Sequence, residues 1–216
     1  MDVLIIGAGG HAWLVLDILL RSIDVGVNVR PVGLLDDNKS LHGDSILGIE
    51  VLGSIESVDD VPHDAVIVGI GDNAIRSKIF AYLKKKDECF VNAIHPEAII
   101  SPDVKIGEGT MICAGVVVNP GSIVGKNVIL NTACTIDHHN CLGNHVHVAP
   151  GVHLGGEVKV GEGTLVGIGS TIIPRCRIGD WVTIGAGSVV VKDLPDNVVS
   201  YGVPARVVRQ KGGKVP

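Results

Sequence analysis

The chain is poor in aromatic mass: two Phe, two Tyr and two Trp in 216 residues. It also lacks an excess of basic charge. Its 18 Lys and Arg against 23 Asp and Glu give a net charge of −5. That argues against a nucleic-acid binder, which usually needs a basic face to meet phosphates. The five cysteines form no CxxC pair and are odd in number, so a reduced, intracellular setting is the simpler expectation. No apolar run is long enough to span a bilayer, and the opening MDVLIIGAGG has no basic segment of the kind a secretory signal carries. A cytoplasmic protein that does not insert into membranes is expected.

What the chain does contain is 46% apolar residues, carried by Val, Ile, Leu and Ala, together with 29 Gly. Such a bias favours short β segments and tight corners. From Ile94 onward every sixth residue is aliphatic. The series runs through Ile100, Ile106, Ile112, Val118, Val124, Leu130, Ile136, Leu142, Val148, Leu154, Val160, Val166, Ile172, Ile178 and Ile184 to Val190 without one insertion. The residue four positions later is mostly small or β-branched, as at Thr110, Ser122, Cys134, Thr164 and Ser188. A period of six fits neither a helix nor a plain strand. It suits a parallel β-helix of triangular cross-section, in which each hexad is a short strand plus a corner and three hexads close a coil.

The first ninety residues have a different grammar. DVLIIGAGGHAWLVLDILLRS reads as a buried strand, a Gly-rich turn and an amphipathic helix. VRPVGLLDD and DAVIVGIGDN read as further strands, and AIRSKIFAYLKKK as a helix with a basic last turn. Strands alternating with helices predict a small parallel α/β sheet, Rossmann-like. The expected domains are 1–92 and 93–216.

Gly7-Ala8-Gly9-Gly10-His11-Ala12 fits the relaxed GxGxxA dinucleotide turn, where glycines admit a diphosphate to a helix N-terminus. Ninety residues are too few for a full NAD domain with a substrate site, so a shorter diphosphate such as a nucleotide-sugar is the better fit. The bland alternative is a tight turn and nothing more. Gly9, Gly10 and His11 are candidate substrate residues, with Asp36 and Asp37 at the end of the next strand and Gly71, Asp72 and Asn73 at the end of a later one. Arg76 is read either as a phosphate ligand or as a solvated helix residue.

Five of the nine histidines fall within TIDHHNCLGNHVHVAPGVHLGG, residues 135–156. On the hexad register none takes an inward position. His139, His145 and His153 point in different directions, so one chain cannot bring three of them to a zinc ion; no metal is expected. Gly156 lies eighteen residues, one full coil, after His138 and should stack on it.

The combination resembles the bacterial sugar acyltransferases, a group holding sialic acid O-acetyltransferases, UDP-4-amino-sugar N-acetyltransferases of the bacillosamine pathway and perosamine N-acetyltransferases. The resemblance rests on GAGGHA and on Asn131-Thr132, Asp137-His138, His147-Val148-Ala149-Pro150 and Gly155-Gly156. The ending Ile184-Gly185-Ala186-Gly187-Ser188 with Gly202-Val203-Pro204-Ala205-Arg206 adds to it. It implies a left-handed β-helix, a homotrimer with active sites between subunits, acetyl-CoA as donor, and a nucleotide-sugar held by the N-terminal domain. It implies His138 as general base, a role suited to an imidazole near neutral pH, and Gly156 or Gly155 as donor to the oxyanion. His147, Ala149, Gly155, Gly167, Ile168 and Ala186 fall on the coenzyme arm. Lys192 and Arg206 fall near its phosphates or are plain surface charges. Asn131 falls near the sugar or acetyl group, or makes only a corner hydrogen bond. One departure stands out: the family places an acid directly after the catalytic histidine, and here that position is His139. N-acetylation of a UDP-4-amino sugar is the leading expectation. Sugar O-acetylation is the alternative, and a non-catalytic β-helix binding protein is a third reading.

Overall fold

The computed structural model describes residues 1–211 and divides into two units. The first comprises Met1–Pro96 with Glu108–Met111, and the second comprises Glu97–Gly107 with the chain from Ile112 onward.

In the first unit, β1 (Asp2–Ile6) leads through α1 (Gly10–Asp24) to β2 (Arg30–Leu35). A hairpin of β3 (Ser45–Ile46) and β4 (Ile49–Gly53) follows, then β5 (Ala65–Val68) and α2 (Asn73–Lys85). The sheet order is β3-β4-β2-β1-β5. It is parallel apart from the β3–β4 pair. Strand β1 therefore has its sequential partner on one side and β5 on the other. This is the switch point where a crevice opens beyond the carboxyl ends of the strands. The hairpin turns on Leu47 (φ 49°) and Gly48 (φ 83°) and is absent from the sequence reading. Helix α1 buries Ala12, Val15, Leu16, Ile18 and Leu19, the one-sided spacing of an amphipathic helix.

The repeats fold as the six-residue period predicts. Two-residue strands start every six residues from β6 (Ala93–Ile94) to β22 (Val189–Val190). In the second unit they stack in parallel ladders, each strand on the one eighteen residues away. One face contains β7 (Ile99–Ile100), β10 (Val117–Val118), β13 (Thr135–Ile136), β16 (His153–Leu154), β19 (Thr171–Ile172) and β22. The next contains β8 (Lys105–Ile106), β11 (Ile123–Val124), β14 (Cys141–Leu142), β17 (Lys159–Val160) and β20 (Arg177–Ile178). The third includes β12 (Ile129–Leu130), β15 (His147–Val148), β18 (Leu165–Val166) and β21 (Thr183–Ile184), and ends on the antiparallel pair β23 (Val198–Gly202) and β24 (Ala205–Gln210).

The aliphatic series is the core. From Ile112 to Val190 each member is at most 3% exposed. The small residues four positions later are buried beside it, and their hydroxyls are satisfied internally. Ser122, Thr164 and Ser170 each donate to a carbonyl fifteen residues on, those of Asp137, Gly179 and Gly185. Each of the three hydroxyls also accepts an N–H eighteen residues on, from Asn140, Val182 and Ser188. A buried hydroxyl paired in this way escapes the cost of desolvation.

From Ile112 to Ile184, each corner turns on one residue with positive φ, three positions after the inward aliphatic. On one edge these are Gly121, His139, Glu157 and Arg175; on another, Asn127, His145, Gly163 and Trp181; on the last, Gly115, Ala133, Gly151, Gly169 and Gly187. This regularity sets the directions of the histidines. No helix among the described residues is long and apolar enough to cross a membrane.

Candidate active site

His138 and His139 follow β13 where the chain turns from the first face to the second. The left-handed backbone of His139 (φ 57°) folds the two adjacent side chains together, and their Nδ1 atoms lie 3.1 Å apart. One of these nitrogens carries the hydrogen and the other the lone pair. When His138 donates, its Nε2 keeps a lone pair. The His138 ring lies directly against Gly156: a Cβ there would fall 2.5 Å from Cε1 and 2.6 Å from Nε2. His139 packs the same way on Gly121, one coil in the opposite direction.

The two adjacent glycines differ in what they can offer. The Gly155 N–H is taken by the carbonyl of Ile172 at 2.9 Å, and a side chain at Gly155 would strike Pro174. The Gly156 N–H has no acceptor among the described residues. Of the two, Gly156 therefore has the donor to spare.

Asp137 does not address the ring of its neighbour. Its Oδ1 accepts from Asn119 Nδ2 (3.0 Å) and from the His138 backbone N–H (2.8 Å). These bonds hold its carboxyl below the usual range. The group touching His138 is His139, which supplies a lone pair and no negative charge.

The two histidines line an open groove of about 650 Å³ with Glu157, Lys159, Arg175 and Arg177. Arg175 Nε lies 3.2 Å from Glu157 Oε1. Lys159 and Arg177 are register partners on adjacent strands. Neither forms a salt bridge among the described residues, although like charges placed opposite each other repel. This basic wall went unnoticed in the sequence, where it is four charges spread over twenty-one positions.

A second set of expected site residues lies on another edge. Asn131 Nδ2 is 3.3 Å from His147 Nε2, and Asn131 Oδ1 accepts the Thr132 N–H at 2.8 Å. His147 occupies an outward strand position yet is only 7% exposed, so burial here does not follow the inward-outward alternation. Ala149 and Gly167 follow Asn131 at steps of eighteen residues, with Ile168 and Ala186 beside them. Ile168 and Ala186 are exposed, and side chains at Gly151, Gly169 and Gly187 would meet open space. Lys192 and Arg206 share a smaller cleft of about 210 Å³ with Asp193 and Leu194. His145 turns a corner against Asn127 at 2.8 Å, and His153 lies on β16, not at a corner, 2.8 Å from Thr135 Oγ1. Among the described residues no three His, Cys, Asp or Glu are grouped to hold a metal ion.

In the first unit, Gly9, Gly10, His11, Asp36, Asp37 and Gly71 line one cleft of about 320 Å³ with Ile55, Ile70 and Ile75. The motif's parts have separate tasks. Gly7 needs its positive φ of 105°, and Ala12 packs against Gly69 so closely that a Cβ at 69 would lie 3.0 Å from the Ala12 Cα. Gly9 and Gly10 face open space, and the N-terminus of α1 has no side-chain cap. The N-terminus of α2 is already capped, because Asp72 accepts the Ile75 N–H at 2.8 Å. Asp72 and Asn73 do not line the cleft. Asp36 is fully committed to the backbone, accepting from Ala8 N (2.7 Å) and Asn38 N (2.8 Å). Asp37 accepts from Ile55 N through Oδ1.

Arg76 is not a solvated helix residue. It is 1% exposed and its Nη1 donates to the carbonyls of Ile70 and Gly71. Burial lowers its pKa to about 10. His11 packs against Gly71, and burial, aided by the Arg76 charge, pulls its pKa below the ordinary value. The folded protein therefore binds this proton less readily than the unfolded chain, and stability falls as pH drops below about 6.5. Urea titrations at pH 7.5 and 5.5 should show this loss, and His11→Gln should reduce it.

The relatives are consistent with both halves of the structure. The PglD N-terminal domain family matches residues 2–83, and the bacterial transferase hexapeptide family, of six repeats, matches residues 157–192. A variant of GDP-perosamine N-acetyl transferase from Caulobacter crescentus, solved with CoA and GDP-perosamine, is 37% identical. It superposes with a TM-score of 0.89 over 97% of this chain and 98% of that one. The acetyltransferase domain of PglB from Neisseria gonorrhoeae, in complex with acetyl coenzyme A, is 33% identical, with a TM-score of 0.88 over 96% and 98%. Curated relatives match over shorter stretches. A galactoside O-acetyltransferase from Lactococcus lactis is 46% identical over 54 residues, 25% of this chain, and the chain spans only 26% of its length. Identity of 37% over nearly the whole of both chains makes this protein a member of the bacterial sugar acetyltransferases built from a PglD N-terminal domain and a hexapeptide-repeat β-helix.

Proposed function

We propose that the protein transfers the acetyl group of acetyl-CoA to the amino group of a nucleotide-linked amino sugar, a UDP-4-amino sugar in the first instance, for glycan or surface-polysaccharide synthesis. The observation that carries this reading is the contact between the His138 ring and Gly156, whose N–H has no acceptor among the described residues. A base and an oxyanion donor one coil apart are what aminolysis of a thioester needs.

The sugar nitrogen adds to the thioester carbon while His138 Nε2 takes its proton. The carbonyl oxygen, now negative, accepts from the Gly156 N–H. Collapse breaks the carbon–sulfur bond, and the imidazolium returns the proton to the departing CoA thiolate. His139 Nδ1 accepts the His138 Nδ1–H and fixes the tautomer, without the charge an acid would add. Lys159 and Arg177 give the groove beside His138 a positive charge that favours an anionic reactant or transition state. In the first unit the uncapped start of α1 at Gly9 and Gly10 suits the nucleotide diphosphate, and Asp37 in the same cleft suits a ribose hydroxyl or base edge.

The coenzyme is assigned to the edge of Asn131, His147, Ala149, Gly167, Ile168 and Ala186, with Lys192 and Arg206 near its phosphates. That edge and the His138 edge are separated on one chain. The reading therefore requires a homotrimer in which the first edge of one copy faces the second edge of its neighbour.

Nucleotide-sugars with and without a free amine, incubated with acetyl-CoA while free thiol is measured, test the substrate class. Thiol release should need the amine. Equal release from hydroxyl-only sugars would move the activity to O-acetylation, and release from none would end the reading. His138→Ala should lower turnover by at least about a hundredfold while leaving coenzyme binding intact; near-normal turnover would remove His138 from its role. His139→Glu places a negative charge beside the base and favours its protonated form. The acidic limb of the rate profile should move to higher pH, and an unmoved limb would contradict the contact.

A further inference from the structure

The interior column four positions after each aliphatic residue runs from Val104 to Ser188. Fourteen of its fifteen members are Val, Ser, Thr or Cys. The exception is Asn140, which lies in the same corner as His138 and is 1% exposed. Its amide nitrogen donates to the Asp137 carbonyl at 2.6 Å and to the Gly155 carbonyl at 3.0 Å. Its Oδ1 is buried with no hydrogen-bond partner among the described residues, which costs stability.

Those two carbonyls belong to particular peptide groups. The Asp137 carbonyl is in the peptide whose N–H is that of His138, and the Gly155 carbonyl is in the peptide whose N–H is that of Gly156. A peptide group is planar, so fixing its oxygen fixes the direction of its N–H. One Asn140 amide thus holds, together with Ser122, the peptide leading into the proposed base and also holds the peptide supplying the proposed oxyanion donor, on two successive coils. A hydroxyl cannot do both, because it has one hydrogen to donate and an amide has two. Ser122 and Ser170 each donate only to the carbonyl fifteen residues on.

We propose that Asn140 is a positioning residue for acetyl transfer. It aligns the Gly156 N–H with the His138 ring, and the strand interior tolerates its unpaired oxygen for that purpose. This rests on the roles given above to His138 and Gly156.

The test is Asn140→Val, which restores the residue type of the surrounding column and removes the unpaired oxygen. Its melting temperature should equal or exceed that of the parent. Its kcat should fall at least about tenfold, part of the loss that follows removal of an oxyanion donor, while KM for both substrates stays within about twofold. Asn140→Ser keeps one donor and should lie between the two; it also serves as the folded variant should the valine protein fail to fold. Full kcat in either folded variant, while His138→Ala is inactive, would overturn the proposal alone. Activity in His138→Ala would instead overturn the reading on which it rests.

Discussion

The structure depends on one constraint: a parallel hydrogen-bond ladder that returns to itself every eighteen residues. Thr135 N–H reaches Val152 O and His153 N–H reaches Ser170 O, each at 2.9 Å. Once that register holds, every residue has a fixed neighbour above and below. His138 must meet Gly156, and His139 must meet Gly121. Neither ring would have room if its glycine had a side chain. The aliphatic core makes the register costly to break, since a shift would carry buried residues to the surface.

The parts of the site that follow from this register were legible in the sequence. The unbroken period from Ile94 to Val190 gave the strands, and counting eighteen residues gave the His138–Gly156 pair. Other features arise from contacts that no period encodes. The buried Asn131–His147 pair joins residues sixteen positions apart, out of step with the coil. The sequence leaves Arg76 open between a phosphate ligand and a solvated helix residue, and no period marks its burial against the Ile70 and Gly71 carbonyls. The β3–β4 hairpin depends on a left-handed Leu47 that composition does not mark. Asn140 was readable as the odd member of its column, but its meaning lay in which carbonyls it holds.

Two irregularities lie close to His138. Asn140 buries an unpaired oxygen, and Lys159 stands beside Arg177 without a partner acid. On the edge of Gly151, Gly169 and Gly187, side chains at the three glycines would meet open space. In the proposed reading the two edges have different tasks: proton transfer at His138 on one, and the extended coenzyme arm on the other.

The central claim is that these two edges, separated on one chain, form a single site across neighbouring copies. Co-expression of His138→Ala with His147→Ala copies, each separately tagged so that mixed assemblies can be purified, tests it directly. Each mutant alone should be nearly inactive. In a trimeric ring containing both mutants, one interface in three pairs an intact His138 with an intact His147, so purified mixed assemblies should recover about a third of parental activity. Mixed assemblies no more active than the two mutants alone would contradict the account.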